Sequence, residues 1–398
     1  MPKWLAGLRP CSKLNLGKVE EIISNWKPYG KILVLFLVMR ILLGVWMWGV
    51  RQLVPNNPST ITPAMYKGVP VETTSWLEPW QRWDTPQYQA IAARGYAAFD
   101  TALFTPPVFP FLMGRMAPVF GGDTLASGLF ISGLACLTCL LAVFQIARYE
   151  TNDEHVAFRA ALFLAVFPTA FFLSAAYSES LFLVGAMLSL YNARKQRWVV
   201  AGLWGALAAL TRITGPFLVV PLTFAAWQAW RNRDWRAWLA PLITGLGALI
   251  FPLYVWFGLH QSPGAILAAS ATRGGRLTIP GWNLIAAASR ILHGQLIEEN
   301  LIELIFTAIF IVLTIFIWKN LPRLYGVYSV TLILFFVSRL GSPQPLVSMA
   351  RYVLEIFPAF LLLAIWSRSA WVNRLVLYLS LLGLLFFSAQ FAIWGWVG

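Results

Sequence analysis

Residues 81–96, with the sequence QRWDTPQYQAIAARGY, combine charged and aromatic side chains in a chain that is otherwise mostly apolar. Thr85 followed by Pro86 predicts a helix N-cap and first helical position, and Gly95 predicts the end of the same helix. Asp84 then lies just before the helix N-terminus, where the helix dipole favours a carboxylate. Asp84 is therefore either a helix cap or a catalytic base held in a rigid position.

Aromatic residues surround this carboxylate in the sequence. Trp83, Tyr88 and Tyr96 belong to the types that anchor a helix at the membrane–water interface. Such a helix would hold a carboxylate near the lipid headgroups. Trp83 and Tyr88 are also candidate substrate-binding residues.

A second carboxylate interrupts the apolar segment FPTAFFLSAAYSESLF, residues 167–182. Glu179 and the neighbouring Tyr177 lie between two apolar runs that lack a Gly–Pro turn signal. A carboxylate close to the membrane is costly and is a functional candidate for that reason. The alternative is a helix-capping box made of Ser and Glu.

Two arginines lie in apolar stretches. Arg212, in ALAALTRITGPF (206–217), either reaches the interface or pairs with an anion inside the bundle. Arg351 lies in SRLGSPQPLVSMARYVLEIFPAF (338–360), and Glu355 follows it by one helical turn. This spacing predicts an ion pair between Arg351 and Glu355.

Two further arginines lie in the stretch TRGGR, residues 272–276. The glycines between Arg273 and Arg276 allow close backbone approach, and basic side chains suit a phosphate. Tyr352, next to Arg351, completes the set of candidate substrate-binding residues.

All these charged side chains fall on the same predicted side of the membrane, and a sugar carried on a lipid phosphate would suit them. Phosphate is a good leaving group that needs charge neutralisation by arginine rather than a general acid. The acceptor alcohol needs one carboxylate as base, and this arrangement inverts the anomeric centre as in inverting glycosidases. A transporter would more often carry polar groups at mid-membrane in an internal repeat. A lipid-linked saccharide transporter or a non-catalytic scaffold remains an alternative.

The composition indicates that membrane-spanning helices must position these residues. The 398 residues are 59% hydrophobic and only 12% charged, whereas soluble proteins have about 25% charged residues. Long apolar runs without a period of two predict an all-α polytopic membrane protein. The net charge of +14 comes from basic residues that punctuate the gaps between spans. This distribution is typical of the positive-inside pattern rather than of nucleic-acid binding.

The apolar runs predict about eleven spans. Residues 1–30 are expected to be a cytosolic basic segment, and residues 31–398 a single integral membrane domain. Segments 51–123 and 260–300 then lie outside, and the prolines of the first predict interfacial helices. The predicted spans lie near residues 31–50, 124–147, 157–175, 179–193, 199–215, 216–230, 239–259, 301–318, 324–338, 352–366 and 375–396.

Five stretches together resemble the PIG-V family of mannosyltransferases, in the GT-C superfamily of membrane glycosyltransferases. The resemblance implies a GT-C-like bundle and transfer of mannose from a polyprenyl (dolichyl-type) phosphate sugar on the outer face. It also implies that Asp84 is the catalytic aspartate. One of these stretches departs from the usual sequence of the family, FFPLYPLL: it has the prolines of that sequence but not its tyrosine. The stretches are RWDTPQYQAIAARGY (82–96), TPPVFPFLMGR (105–115), FPTAFFLSAAYSESLF (167–182), ALTRITGP (209–216) and SMARYVLEIFP (348–358).

The expected partners are the lipid-phosphate sugar donor, a glycolipid or glycan acceptor, and the bilayer. No cofactor and no metal are expected, and the three histidines are scattered along the chain. A bacterial plasma membrane with the active site on the outer face is the expected location, or the endoplasmic reticulum in a eukaryote. The candidate catalytic residues are Asp84 and Glu179. The candidate substrate-binding residues are Trp83, Tyr88, Tyr177, Arg212, Arg273, Arg276, Arg351 and Tyr352.

Overall fold

The computed structural model describes residues 16–57, 62–295, 297–341, 344–395 and 397. The described residues form sixteen α-helices and one antiparallel pair of two-residue strands. The predicted all-α class is therefore confirmed. The elements are α1 (Leu16–Leu53), α2 (Thr85–Arg94), α3 (Val108–Met116), α4 (Thr124–Thr151), α5 (Glu154–Val166), α6 (Glu179–Arg194), α7 (Trp198–Ala209), α8 (Val219–Trp230), α9 (Leu239–Leu253), α10 (Gly264–Gly274), β1 (Arg276–Leu277), α11 (Trp282–Leu292), α12 (Ile297–Asn320), α13 (Arg323–Val337), β2 (Arg339–Leu340), α14 (Met349–Tyr352), α15 (Pro358–Trp366) and α16 (Ala370–Ala392).

Among the described residues, five helices are long and apolar enough to cross a membrane. A sixth span results if two consecutive short helices, bent by 83° at their junction, are counted as one. By length and composition this is fewer than the eleven predicted spans. The five are Lys27–Leu53, Thr124–Thr151, Trp235–Gly258, Asn300–Asn320 and Ala370–Ala392, and the bent pair is Met349–Glu355 with Pro358–Trp366.

Part of the difference in number arises where proline and glycine interrupt the predicted spans, and part because α6 and α13 are uninterrupted but only 16 and 15 residues long. The predicted span 157–175 contains Pro168, and α5 already ends at Val166, as expected before a proline. The predicted spans 199–215 and 216–230 are separated in the structure by a 3₁₀ turn, Gly215–Leu218. Irregular backbone at membrane depth is tolerated where it is buried in protein or lines a cavity. Because of these breaks, the polar residues at the ends of the apolar runs lie in the protein interior.

The segment between α1 and α4 contains two short helices, α2 and α3, joined by 3₁₀ turns. Helix α2 begins at Thr85 and has Pro86 in its first turn, so Asp84 rather than Thr85 is the N-cap residue. It ends at Arg94, and the C-cap residue Gly95 has a φ of 69°, which is readily available to glycine. Short helices are thus present where they were predicted, and their interfacial position stays a prediction.

The N-terminal helix is longer than the predicted first span. Helix α1 runs without interruption from Leu16 through Lys27, where the candidate span begins. Residues 1–15 of the predicted cytosolic segment lie outside the described residues. The division into this segment and one membrane domain stays a prediction.

Small residues bring the helices that surround the site close together. At Gly185 in α6, an added Cβ would lie 2.9 Å from the Cβ of Ala208 in α7. Close approach through small residues is typical of helices that pack inside a membrane. This contact holds the start of α6, at Glu179, near the turn after α7 that carries Arg212.

Candidate active site

Three carboxylates and three arginines meet in one network of ion pairs. They come from the residue before α2, the start of α6, the turn after α7, α10, α14 and the 3₁₀ turn Val353–Glu355. The structure thus brings together five predicted site residues and one further glutamate. The members are Asp84, Glu179, Glu355, Arg212, Arg273 and Arg351.

Arg351 bridges two of the carboxylates. Its Nη1 lies 2.7 Å from Asp84 Oδ2, and its Nε contacts Glu179 Oε1. The guanidinium also lies 4.7 Å from the centre of the Tyr177 ring. A planar guanidinium with several donors fixes the relative position of its carboxylate partners. Arg351 therefore couples the position of Asp84 to that of Glu179.

Arg212 forms a second bridge, deeper in the protein. Its Nη1 lies 2.7 Å from Glu179 Oε1, and its Nε lies 2.8 Å from Glu355 Oε1. It also donates a hydrogen bond of 3.2 Å to Ser178 Oγ. The side chain is 6% exposed and each glutamate is 1% exposed. A buried charge is tolerated only when it is paired, and Arg212 provides a cationic partner for two acids that have little access to water.

Asp84 occupies the N-cap position of α2, but its side chain makes no capping hydrogen bond. Instead its Oδ2 contacts Arg351, and its Oδ1 lies 3.0 Å from Arg273 Nη2. Oδ1 also accepts a hydrogen bond of 3.1 Å from Gln87 Nε2. The backbone N–H of Asp84 donates to Tyr177 Oη at 3.0 Å. The helix-cap interpretation therefore does not describe what the carboxylate contacts.

The two arginines determine the protonation state of Asp84. Burial raises the pKa of its carboxyl, but Arg351 and Arg273 outweigh burial and lower the pKa to about 2. Asp84 is therefore ionised at neutral pH. With both cations in place it is also a weak base, because proton affinity falls with the pKa.

Asp84 and the three arginines line a cavity of about 420 Å³, which includes space open to solvent. Asp84 and Arg273 are its accessible ion pair, with side chains 23% and 22% exposed. Tyr88 contributes a hydroxyl that is hydrogen-bonded to Ser178 Oγ at 2.9 Å. The ring of Tyr352 lies 5.5 Å from the guanidinium of Arg212. A ligand in this cavity would meet one carboxylate and one guanidinium before any other charge.

Three predicted substrate-binding residues do not line the cavity: Tyr177, which is fully buried, Trp83 and Arg276. Trp83 donates from its indole Nε1 to the carbonyl of Gly395 at 3.2 Å, and its ring lies 5.7 Å from the ring of Trp394. Its φ of 52° is unusual for a bulky residue, and this packing holds the strained turn before Asp84. Arg276 lies in β1 opposite Leu340 with an exposed side chain, outside the lining of the cavity.

The prediction of an ion pair between Arg351 and Glu355 is wrong. Helix α14 ends at Tyr352 and continues as a 3₁₀ turn, so the two residues are not held on one face of an α-helix. Glu355 pairs with Arg212 instead. An acidic residue inside the apolar string RYVLEIFP was itself a signal of a functional or paired group. The roles of Gln87 and Ser178 had no comparable signal.

Among the described residues, no group of three or more His, Cys, Asp and Glu side chains is arranged to hold a metal ion. The carboxylates of the site have guanidinium partners.

Residues 105–256 match the family model described as dolichyl-phosphate-mannose-protein mannosyltransferase. The matched region is less than half of the chain, and it contains Glu179 and Arg212 but not Asp84. The description of the matched family agrees with the predicted glycosyltransferase activity. Together with the candidate spans, the match confirms an integral multi-pass membrane protein.

The crystal structure of the oligosaccharyltransferase from Archaeoglobus fulgidus, in complex with Zn and sulfate, is similar in part. The alignment covers 90% of this chain and 53% of that chain, at 13% sequence identity and a TM-score of 0.40. The chain thus spans about half the length of that protein. Among curated proteins, none matches the sequence.

Proposed function

We propose that the protein is an inverting glycosyltransferase that moves mannose from a polyprenyl (dolichyl-type) phosphate sugar to an acceptor hydroxyl. The observation that carries the proposal is the position of Asp84, a partly exposed carboxylate on the wall of one cavity, with Arg273 and Arg351 on its two oxygens. The family match over residues 105–256 supports the same donor class. So does the resemblance of separate stretches to PIG-V mannosyltransferases, with the GT-C-like bundle that it implies.

The reaction requires one base and no general acid. As the acceptor oxygen bonds to the anomeric carbon, the bond from that carbon to the phosphate oxygen breaks. The acceptor proton passes to Asp84, and the electron pair of the broken bond leaves with the polyprenyl phosphate. A positioned base contributes about 10²–10⁴-fold to the rate. Because attack and departure occur on opposite faces of the sugar, the anomeric configuration inverts.

The donor phosphate would change the partners of Asp84. The network holds three acids and three arginines, so an incoming anion needs a cation that can change its partner. Arg273 fits this role because its side chain is 22% exposed, whereas that of Arg351 is 8% exposed. When Arg273 pairs with the phosphate, Asp84 loses one cation and its pKa rises. Donor binding would thus convert a weak base into a stronger one.

The deeper residues of the network organise the site. Arg212 is already engaged by Glu179 and Glu355, so we assign it to holding the glutamates rather than to the phosphate. Glu179 in turn fixes Arg351, and its Oε2 has no hydrogen-bond partner within the described residues. That oxygen is buried and Glu179 does not line the cavity, so we assign Glu179 to positioning Arg351 and Arg212.

An apolar groove beside the cavity suits the polyprenyl chain of the donor. The groove has a volume of about 1380 Å³, and its lining includes Tyr96, Phe111 and Phe251. The backbone N–H of Val108 donates to the carbonyl of Leu210 at 3.1 Å, and both residues line the groove. Their neighbours Pro106 and Thr211 line the polar cavity. A donor with its phosphate in the cavity would place its lipid chain in the groove.

The proposed location is the outer face of a bacterial plasma membrane, with a glycolipid or glycan as acceptor. The support is the positive-inside distribution of the basic residues, which places segments 51–123 and 260–300 outside. Asp84 and Arg273 come from these two segments and meet at 3.0 Å. Two segments assigned to one side by charge alone therefore build one site.

The donor class is tested with the purified protein in liposomes. We expect label to pass from polyprenyl phosphate [¹⁴C]mannose to a glycolipid acceptor, and not from guanosine diphosphate [¹⁴C]mannose. Mass analysis of the product should show one added hexose. Movement of the intact labelled donor across the bilayer without any product would instead support the transporter alternative and contradict this proposal.

The lowered pKa of Asp84 predicts the acid limb of the rate profile. An ordinary aspartate is protonated as the pH falls through about 4. Asp84, with its lowered pKa, stays ionised there and is protonated only when the pH reaches about 2. The dependence of kcat/KM on pH reports the free enzyme. Above a pH of about 4, kcat/KM should therefore not fall through protonation of Asp84. In Arg273→Gln one cation is lost, so the limb should move to higher pH.

The matched control for this profile is Arg276→Gln, which removes an exposed arginine three residues away. Its profile should coincide with that of the unchanged enzyme. Equal acid limbs in Arg273→Gln and Arg276→Gln would show that Arg273 does not set the pKa of the base.

A further inference from the structure

Arg351 lies on α14, a helix of only four residues. Forming a single helical turn is unfavourable on its own, and the residue before it, Ser348, has a φ of 60°. Such a segment keeps one conformation only when neighbouring structure fixes it. The position of Arg351 must therefore come from contacts with other parts of the chain.

The first such contact is made by an acid inside a candidate membrane span. Glu303 lies on α12, within the span Asn300–Asn320, and is 3% exposed. Its Oε2 accepts a hydrogen bond of 2.8 Å from the backbone N–H of Ala350. A buried acid in a span is costly and marks a functional position. Here the carboxyl meets the backbone of α14 rather than a cation.

The second contact is made with the backbone carbonyl of the same residue, Ala350. The side-chain hydroxyl of Thr169, which is fully buried, donates to the carbonyl of Ala350 at 2.8 Å. Thr169 precedes the 3₁₀ turn Ala170–Leu173 that follows α5. The carbonyl of Ala350 belongs to the peptide group that also contains the nitrogen of Arg351. Two successive peptide groups of α14 are therefore fixed by side chains, one by Glu303 of α12 and the other by Thr169, which follows α5.

We propose that Glu303 and Thr169 are positioning residues that set the reaction geometry through Arg351. Neither side chain lines the cavity. They fix the backbone from which Arg351 reaches Asp84 and Glu179. For its kinetic readout this inference rests on the proposed transferase function.

The first experiment compares two substitutions of Glu303. Glu303→Ala removes the acceptor for the Ala350 amide and should lower kcat for mannose transfer by about 10²-fold, the effect of misplacing a catalytic group by about 1 Å. KM for the donor should stay within about threefold. Glu303→Gln keeps an acceptor oxygen and should retain kcat within about threefold. An equal loss in both variants, or none in Glu303→Ala, would overturn the inference.

The matched control is Glu298→Ala, an exposed acid on the same helix, which should behave as the unchanged enzyme. If Glu303→Ala fails to fold, the second contact tests the same clamp. Thr169→Val removes the hydroxyl and should lower kcat about tenfold, whereas Thr169→Ser should restore it. A Thr169→Val variant that folds and retains full kcat would then contradict the inference.

Hydrogen exchange separates this inference from the proposed function, because it needs no substrate. The Ala350 amide should exchange at least tenfold faster in Glu303→Ala than in the unchanged protein, and at the unchanged rate in Glu303→Gln. Equal exchange in all three would overturn the clamp even if the enzyme transfers mannose. Absence of transfer by the unchanged protein, together with the predicted exchange, would instead overturn only the proposed function.

Discussion

Replacing Asp84 by asparagine is expected to lower kcat for sugar transfer by about 10²–10⁴-fold, the contribution of a positioned base. Asparagine has almost the same size, but its single amide oxygen can accept a hydrogen bond from only one of the two arginines, because Arg273 and Arg351 contact different oxygens of Asp84. It does not take up the proton of the acceptor hydroxyl. Initial rates with polyprenyl phosphate mannose, measured on the purified protein in liposomes, give this value.

The control is Asp100→Asn, which neutralises an exposed acid in the same predicted outer segment. It should transfer sugar at the unchanged rate. Both proteins should have similar melting temperatures, so that the loss in Asp84→Asn is chemical. Full transfer by Asp84→Asn would end the assignment of the base.

Replacing Arg212 by methionine is expected to cause the largest loss of stability in this set. Methionine fills part of the space but leaves Glu355 buried without its cation and leaves Glu179 with Arg351 alone. Removing one partner of a buried pair costs about 3–5 kcal/mol. The free energy of unfolding, measured by denaturant titration in detergent, should fall by about this amount, and transfer should be lost.

An exposed ion pair provides the comparison. Arg368 and Asp153 are 58% and 31% exposed and 3.2 Å apart, so Arg368→Met should cost less than about 1 kcal/mol. Neutralising both glutamates in the Arg212→Met protein should recover part of its stability without restoring transfer. Equal stabilities for Arg212→Met and Arg368→Met would contradict the description of the buried network.

The types of the residues and their predicted side of the membrane were sufficient to identify most of the residues of the site. Asp84, Glu179 and Arg212 stand out because a charge beside or within an apolar run needs a reason. Arg273 and Arg351 stand out because the charge pattern assigns them to the same side as those acids. These inferences need no knowledge of how the helices pack. They extend to the all-α class, which follows from hydropathy alone.

The ion-pair partners of the charged residues and the lengths of the helices depend on local breaks in the helices. The pattern of apolar residues does not predict these breaks. The pairing of Arg351 with Glu355 assumed a continuous helix, whereas α14 ends after four residues. Fewer helices than apolar runs have the length to cross a membrane, because 3₁₀ turns interrupt two of the runs and because α6 and α13 have only 16 and 15 residues. Trp83 and Arg276 have suitable side chains, but the backbone directs them to other surroundings.

The anomeric configuration of the product tests the central claim most directly, because it reports whether one base drives one displacement at this cavity. With a synthetic donor of known configuration, nuclear magnetic resonance of the purified product should show the opposite configuration at the transferred sugar. A product that retains the donor configuration would require two displacements through a covalent intermediate. That result would contradict the assignment of Asp84 as the base of a direct transfer.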